Sequence, residues 1–62
     1  MNAKTPREVL FEYVPAGNSM RVTAVDADSG MEVVVQAPLS LSQADMQKLA
    51  MNKLVYVMGK RK

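Results

Sequence analysis

Asp26-Ala27-Asp28-Ser29-Gly30-Met31-Glu32 comes nearest to a metal-binding pattern, because alternating oxygen-bearing side chains open a calcium loop. Its sixth position is Met31, where the sharp turn needs glycine, and its twelfth is Ala37, where a bidentate glutamate belongs. The stretch therefore reads as a hairpin turn. Tyr56-Val-Met-Gly-Lys60 has the Tyr-x-x-x-Lys spacing that short-chain dehydrogenases use. That chemistry needs a dinucleotide fold, and this chain has neither the glycine-rich turn nor room for parallel βαβ units. Nucleophilic catalysis needs a hydroxyl or thiol beside an oriented base. Ser19, Ser29, Ser40, Ser42, Thr5 and Thr23 fall in turns, a cap, the tail or an outward sheet face, and there is no histidine or cysteine. Glu8, Glu12 and Glu32 fall on an open sheet face, where nothing tunes a carboxylate for acid–base work. No catalytic, metal or cofactor site is expected, no small-molecule substrate and no enzymatic activity.

The elements that would hold any functional surface can be read from periodicity. At about 100° per residue, Met46, Ala50, Leu54 and Val57 form one buried helical stripe. Ser42 to Met58 is therefore expected to be an amphipathic helix. Ala44, Met51, Val55 and Met58 lie beside the stripe, Asp45, Lys48 and Asn52 form a narrow polar strip, and Leu49 and Tyr56 sit beyond it. Two N-caps compete: Ser40 with Gln43 as a capping box, and Ser42 with Asp45 in the first turn. Gly59 is the expected left-handed stop, and Lys60, Arg61 and Lys62 then meet the negative end of the helix dipole.

Everything before the helix reads as a sheet. Arg7 to Val14 alternates, Pro15-Ala16-Gly17-Asn18 has turn composition, and Ser19 to Asp26 alternates again. Asp28-Ser29-Gly30 makes a second turn, and Met31 to Ala37 forms a third strand ended by Pro38. Closing the first hairpin at Val14 and Ser19 pairs Phe11 with Val22, Glu12 with Arg21 and Arg7 with Asp26. In the second hairpin, pairing Asp26 with Met31 sets Ala24 against Val33 and Val22 against Val35. One face then carries Val9, Phe11, Tyr13, Met20, Val22, Ala24, Met31, Val33 and Val35, and must lie under the helix. The other is mixed, with a Leu10, Thr23 and Val34 stripe among acidic neighbours. The expected fold is α+β: a three-stranded antiparallel meander packed on one C-terminal helix. Residues 7–59 form the domain, between a flexible tail over 1–6 and a basic tail over 60–62.

With 62 residues, such a chain hides only about 60% of its unfolded surface. Lacking cysteine and histidine, it can gain further stability by oligomerising. No signal region and no membrane-spanning apolar run is evident, so the expectation is a cytoplasmic protein without membrane contact. The net charge of +2 hides a division: residues 1–41 sum to −2 and residues 42–62 to +4. Lys48, Lys53, Lys60, Arg61 and Lys62 are therefore the candidate contacts for nucleic acid, the alternative reading. Against it, a dipole-complementing helix end explains the same charges, and the sheet face is too acidic for phosphate. The helix carries more hydrocarbon than one small sheet can cover, including three of the chain's six methionines. Methionine is favoured at adaptable surfaces. Leu49, Met51, Val55, Tyr56 and Met58 are thus the candidate interface, and a second copy (a homodimer) or another protein is the expected partner.

Arg-Glu-Val-Leu-Phe-Glu-Tyr (7–13), Gly17-Asn18-Ser19, Val22-Thr23-Ala24-Val25-Asp26, Ser29-Gly30-Met31-Glu32-Val33 and Lys53-Leu54-Val55-Tyr56-Val57-Met58 together resemble a family of very small bacterial proteins of unknown function. Relatives of this kind sometimes bear a serine hydroxymethyltransferase label. A pyridoxal phosphate enzyme needs a large fold around its cofactor, so that label looks like mis-transfer. The resemblance implies no functional residue here.

Overall fold

The computed structural model describes residues 8–60. β1 (Val9–Ala16), β2 (Ser19–Asp26) and β3 (Glu32–Pro38) form one antiparallel sheet in the order β1-β2-β3, and α1 (Gln43–Gly59) follows. This is the α+β meander with a C-terminal helix that the alternation and the helical stripe imply. The expected tail over 1–6, the Arg7–Asp26 pair, Arg61 and Lys62 lie outside the described residues.

The first hairpin is tighter than its composition suggests. Ala16 pairs with Ser19, so only Gly17 and Asn18 turn, and Gly17 takes φ 63°. Glycine as the first of two turn residues, with a following residue at negative φ, has the dihedral signs of a type II′ turn, whose twist suits a two-residue hairpin. This moves the β1 register by two positions from the expected one. Tyr13 faces Val22, Phe11 faces Ala24, Glu12 faces Thr23, and Arg21 faces Val14. The expected Glu12–Arg21 pair is therefore not made. Because the shift is even, every side chain keeps its expected face. Pro15 is tolerated inside β1 because an edge strand can place its missing N–H on the outer side.

The second hairpin has the expected register, with Ala24 opposite Val33 and Val22 opposite Val35. Its turn is held by the buried Asp26, whose Oδ2 accepts from the Ser29 amide at 3.1 Å and the Ser29 hydroxyl at 2.7 Å. Gly30 follows at φ 80°, in the left-handed region that a β-carbon disfavours. The Asp-Ala-Asp-Ser-Gly stretch is thus a turn whose first carboxylate binds its own loop.

Ser42, not Ser40, caps α1: its hydroxyl accepts from the Asp45 amide at 3.1 Å. At the other end Gly59 does not adopt the expected left-handed stop. It remains helical, and the Lys60 amide closes the helix on the carbonyls of Tyr56 at 3.2 Å and Val57 at 3.1 Å. A bifurcated bond of this kind satisfies the last carbonyls, so no left-handed residue is required.

The core consists of Val22, Ala24, Val33, Ala37, Met46, Ala50 and Leu54. Met46, Ala50 and Leu54 recur every four residues and face the sheet, as the stripe requires. The helix packs on β2 and β3 and scarcely reaches β1. That offset leaves the inward side chains of β1 half-covered.

Candidate interaction surface

Val9, Phe11 and Tyr13 point toward the helix side of the sheet but stay half-buried, because α1 lies over the other two strands. The flank of α1 turned toward them is apolar for much of its length. One recess of 350 Å³ is lined by Val9, Met51, Leu54, Val55, Met58 and Gly59. A second, of 450 Å³, is lined by Phe11, Ala44, Gln47, Lys48, Met51 and Asn52. Met51 belongs to both, so the two recesses form one trough between β1 and the helix. Val55 is 62% exposed, unusual for a large aliphatic beside other apolar side chains.

The structure separates the five expected interface residues into two groups. Met51, Val55 and Met58 meet in the β1-side trough. Leu49 and Tyr56 lie about 100–160° round the helix from Met51 and Val55, at about 100° per residue. Tyr56 is 65% exposed, and the Lys60 ammonium sits 5.3 Å from its ring centroid. The Tyr-x-x-x-Lys spacing is thus a cation–π contact at the helix end. Sequence reasoning missed Val9 and Phe11 as part of the surface, because alternation assigns a side chain to a face but not to its cover. Tyr13 is the one β1 side chain whose polar atom is fully shielded. Its Oη is shielded from solvent and meets no hydrogen-bond partner among the described residues, an uncommon state for a polar atom.

The lysines do not converge. Lys53 Nζ donates to the Val34 carbonyl on the outer edge of β3 at 2.9 Å, Lys60 covers Tyr56, and Lys48 borders the trough. On the sheet's other side Leu10 and Val34 are exposed at 54% and 40%, whereas Thr23 is buried beneath its neighbours on the central strand. The observed register sets Glu12, not Leu10, beside Thr23, so the expected Leu10, Thr23 and Val34 stripe is broken into a diagonal. A third recess of 440 Å³ lies against Ser29–Glu32 and Met58. Among the described residues no three acidic side chains are grouped to hold a metal ion, and no helix is long and apolar enough to cross a membrane.

Order, register and cover together define a small α+β domain, a three-stranded antiparallel sheet with one helix set off-centre upon it. The chain belongs to the family described as a domain of unknown function, DUF6898, which matches residues 6–62. No curated protein and no solved structure gives a match.

Proposed function

We propose that this protein is a non-catalytic interaction module that associates with a second copy of itself through the trough between β1 and α1. The observation that carries this reading is the off-centre helix, which leaves Val9, Phe11, Met51, Val55 and Met58 as one continuous apolar strip. At 1.5 Å per residue Met51 and Met58 are about 10 Å apart, so the strip covers the C-terminal half of the helix. A second copy presents the same strip, and a two-fold axis lets each satisfy the other. The lysines support this over a nucleic-acid role, since two of the three described ones are engaged within the chain.

Sedimentation velocity across a concentration series tests the reading. The chain should be dimeric at about 100 µM, with little response to salt, because apolar contact is not screened. Met51→Glu combined with Val55→Glu should give a folded monomer. A wild-type monomer at that concentration, or an unchanged dimer in the double variant, refutes the choice of surface. Binding to DNA or RNA that collapses steeply with salt would point to the basic helix instead.

A further inference from the structure

The two edges of the sheet are treated differently. On β3, Lys53 reaches over from the helix and occupies the Val34 carbonyl, and Pro38 ends the strand. Lysine and proline on an edge discourage further strands. On β1, no described residue hydrogen-bonds the outer edge. The hairpin geometry fixes which groups face outward. Ala16 and Ser19 flank a two-residue turn and exchange hydrogen bonds, so Val14, Glu12 and Leu10 also direct theirs to β2. Val9, Phe11 and Tyr13 therefore aim their N–H and C=O groups away from the sheet. Two of these three, Val9 and Phe11, also line the trough.

We infer that the second copy docks by laying its own β1 antiparallel against this edge, with the two-fold axis passing through Phe11, to make one six-stranded sheet. This rests on the self-association proposed above and states its geometry. Outward groups must meet outward groups, which restricts the register to alternate positions. Pairing Phe11 with Phe11 of the second copy sets Val9 opposite Tyr13 and Leu10 opposite Glu12, and forms about six new backbone hydrogen bonds. Sliding by two residues one way places Glu12 opposite Glu12 and sets Val9 against Pro15, which has no N–H to give. Sliding by two the other way places Glu8 opposite Glu12. Directly opposed like charges destabilise a strand pair, so charge and proline leave the Phe11-centred register as the self-complementary one. Both helices then lie on the same face. Their axes are four strand spacings apart, about 19 Å, against a helix diameter of about 10–12 Å. The slot between them is floored by Val9, Phe11 and Tyr13 of both copies and bordered by Met51 and Met58, side chains long enough to reach into it.

Cysteine cross-linking reads the register directly, because the natural chain has no cysteine. Leu10 and Glu12 are exposed on the sheet's outer side, so Leu10→Cys and Glu12→Cys leave the core intact. In the inferred pairing the two positions face each other at a Cα separation of about 4.5 Å, which a disulfide can span. Identical positions are diagonal at about 7–8 Å, too far to bridge. Mild oxidation of an equimolar mixture of the two variants should link about half of the dimers, the share expected for random exchange between symmetric pairs. Either variant alone should link several-fold less. Efficient linking of Leu10→Cys alone or of Glu12→Cys alone overturns the register. A dimer by sedimentation that links in none of the three samples overturns edge pairing but leaves self-association standing. A monomer in sedimentation removes both.

Discussion

Leu54 and Val55 are adjacent in sequence and 1% and 62% exposed, so substituting each separates folding from association within one turn of helix. Leu54→Ala empties a fully packed position between the helix and the sheet. Such truncations cost about 2–5 kcal/mol, and a chain of this length commands about 3–9 kcal/mol in total. The variant should therefore lose most of its stability in urea, and its association should fail only because the fold does. Val55→Glu removes nothing from the monomer's core, so its monomer stability should change by less than about 0.5 kcal/mol. Burying a valine is worth about 2 kcal/mol, and at 62% exposure about 1.2 kcal/mol of that is still to be realised by contact with a partner. A two-fold interface uses the residue twice, giving about 2.5 kcal/mol. Dimer dissociation constants should then rise by about two orders of magnitude, and desolvation of the carboxylate adds to this. Far-UV circular dichroism in urea and sedimentation equilibrium measure the two effects independently. A Val55→Glu dimer within threefold of the wild-type affinity, with the fold intact, would refute the claim that this flank is occupied.

Two further outcomes follow from hydrogen bonds within the chain. Tyr13→Phe removes a shielded hydroxyl that has no described partner, so urea denaturation should show unchanged or increased stability, by up to about 1–3 kcal/mol. A loss of that size would mean that the hydroxyl has a partner in solution. Ser42→Ala removes the acceptor of the Asp45 amide and should cost about 1 kcal/mol, with amide exchange accelerated in the first turn of α1, while Ser40→Ala should cost little.

Part of this architecture is dictated locally. Alternation in three runs, the stripe of Met46, Ala50 and Leu54, and the absence of cysteine and histidine are properties of residue order and type. They fix the element sequence, the α+β class and the side of the sheet on which each residue lies, since a period of two or of 3.6 is a geometric consequence of the backbone. The second hairpin's register was legible too, because a slip of one residue would have mixed faces. A slip of two does not, and the first hairpin therefore depended on the turn that Gly17 permits. The helix ends were also undetermined: Ser40 and Ser42 have similar capping chemistry, and Gly59 permits a left-handed stop without enforcing one.

What residue order leaves open is where the helix rests across the strands. The stripe says which side of α1 is buried, not which pair of strands receives it. That placement is settled by side chains far apart in the chain, with Met46, Ala50 and Leu54 packing on Val22, Ala24, Val33 and Ala37 and leaving β1 at the margin. It sets Met51, Val55 and Met58 beside β1, whereas Leu49 and Tyr56, already across the polar strip on a helical projection, take no part in that trough. It also leaves Val9 and Phe11 half-covered, which no local pattern records, because cover is a relation between elements and only packing decides it.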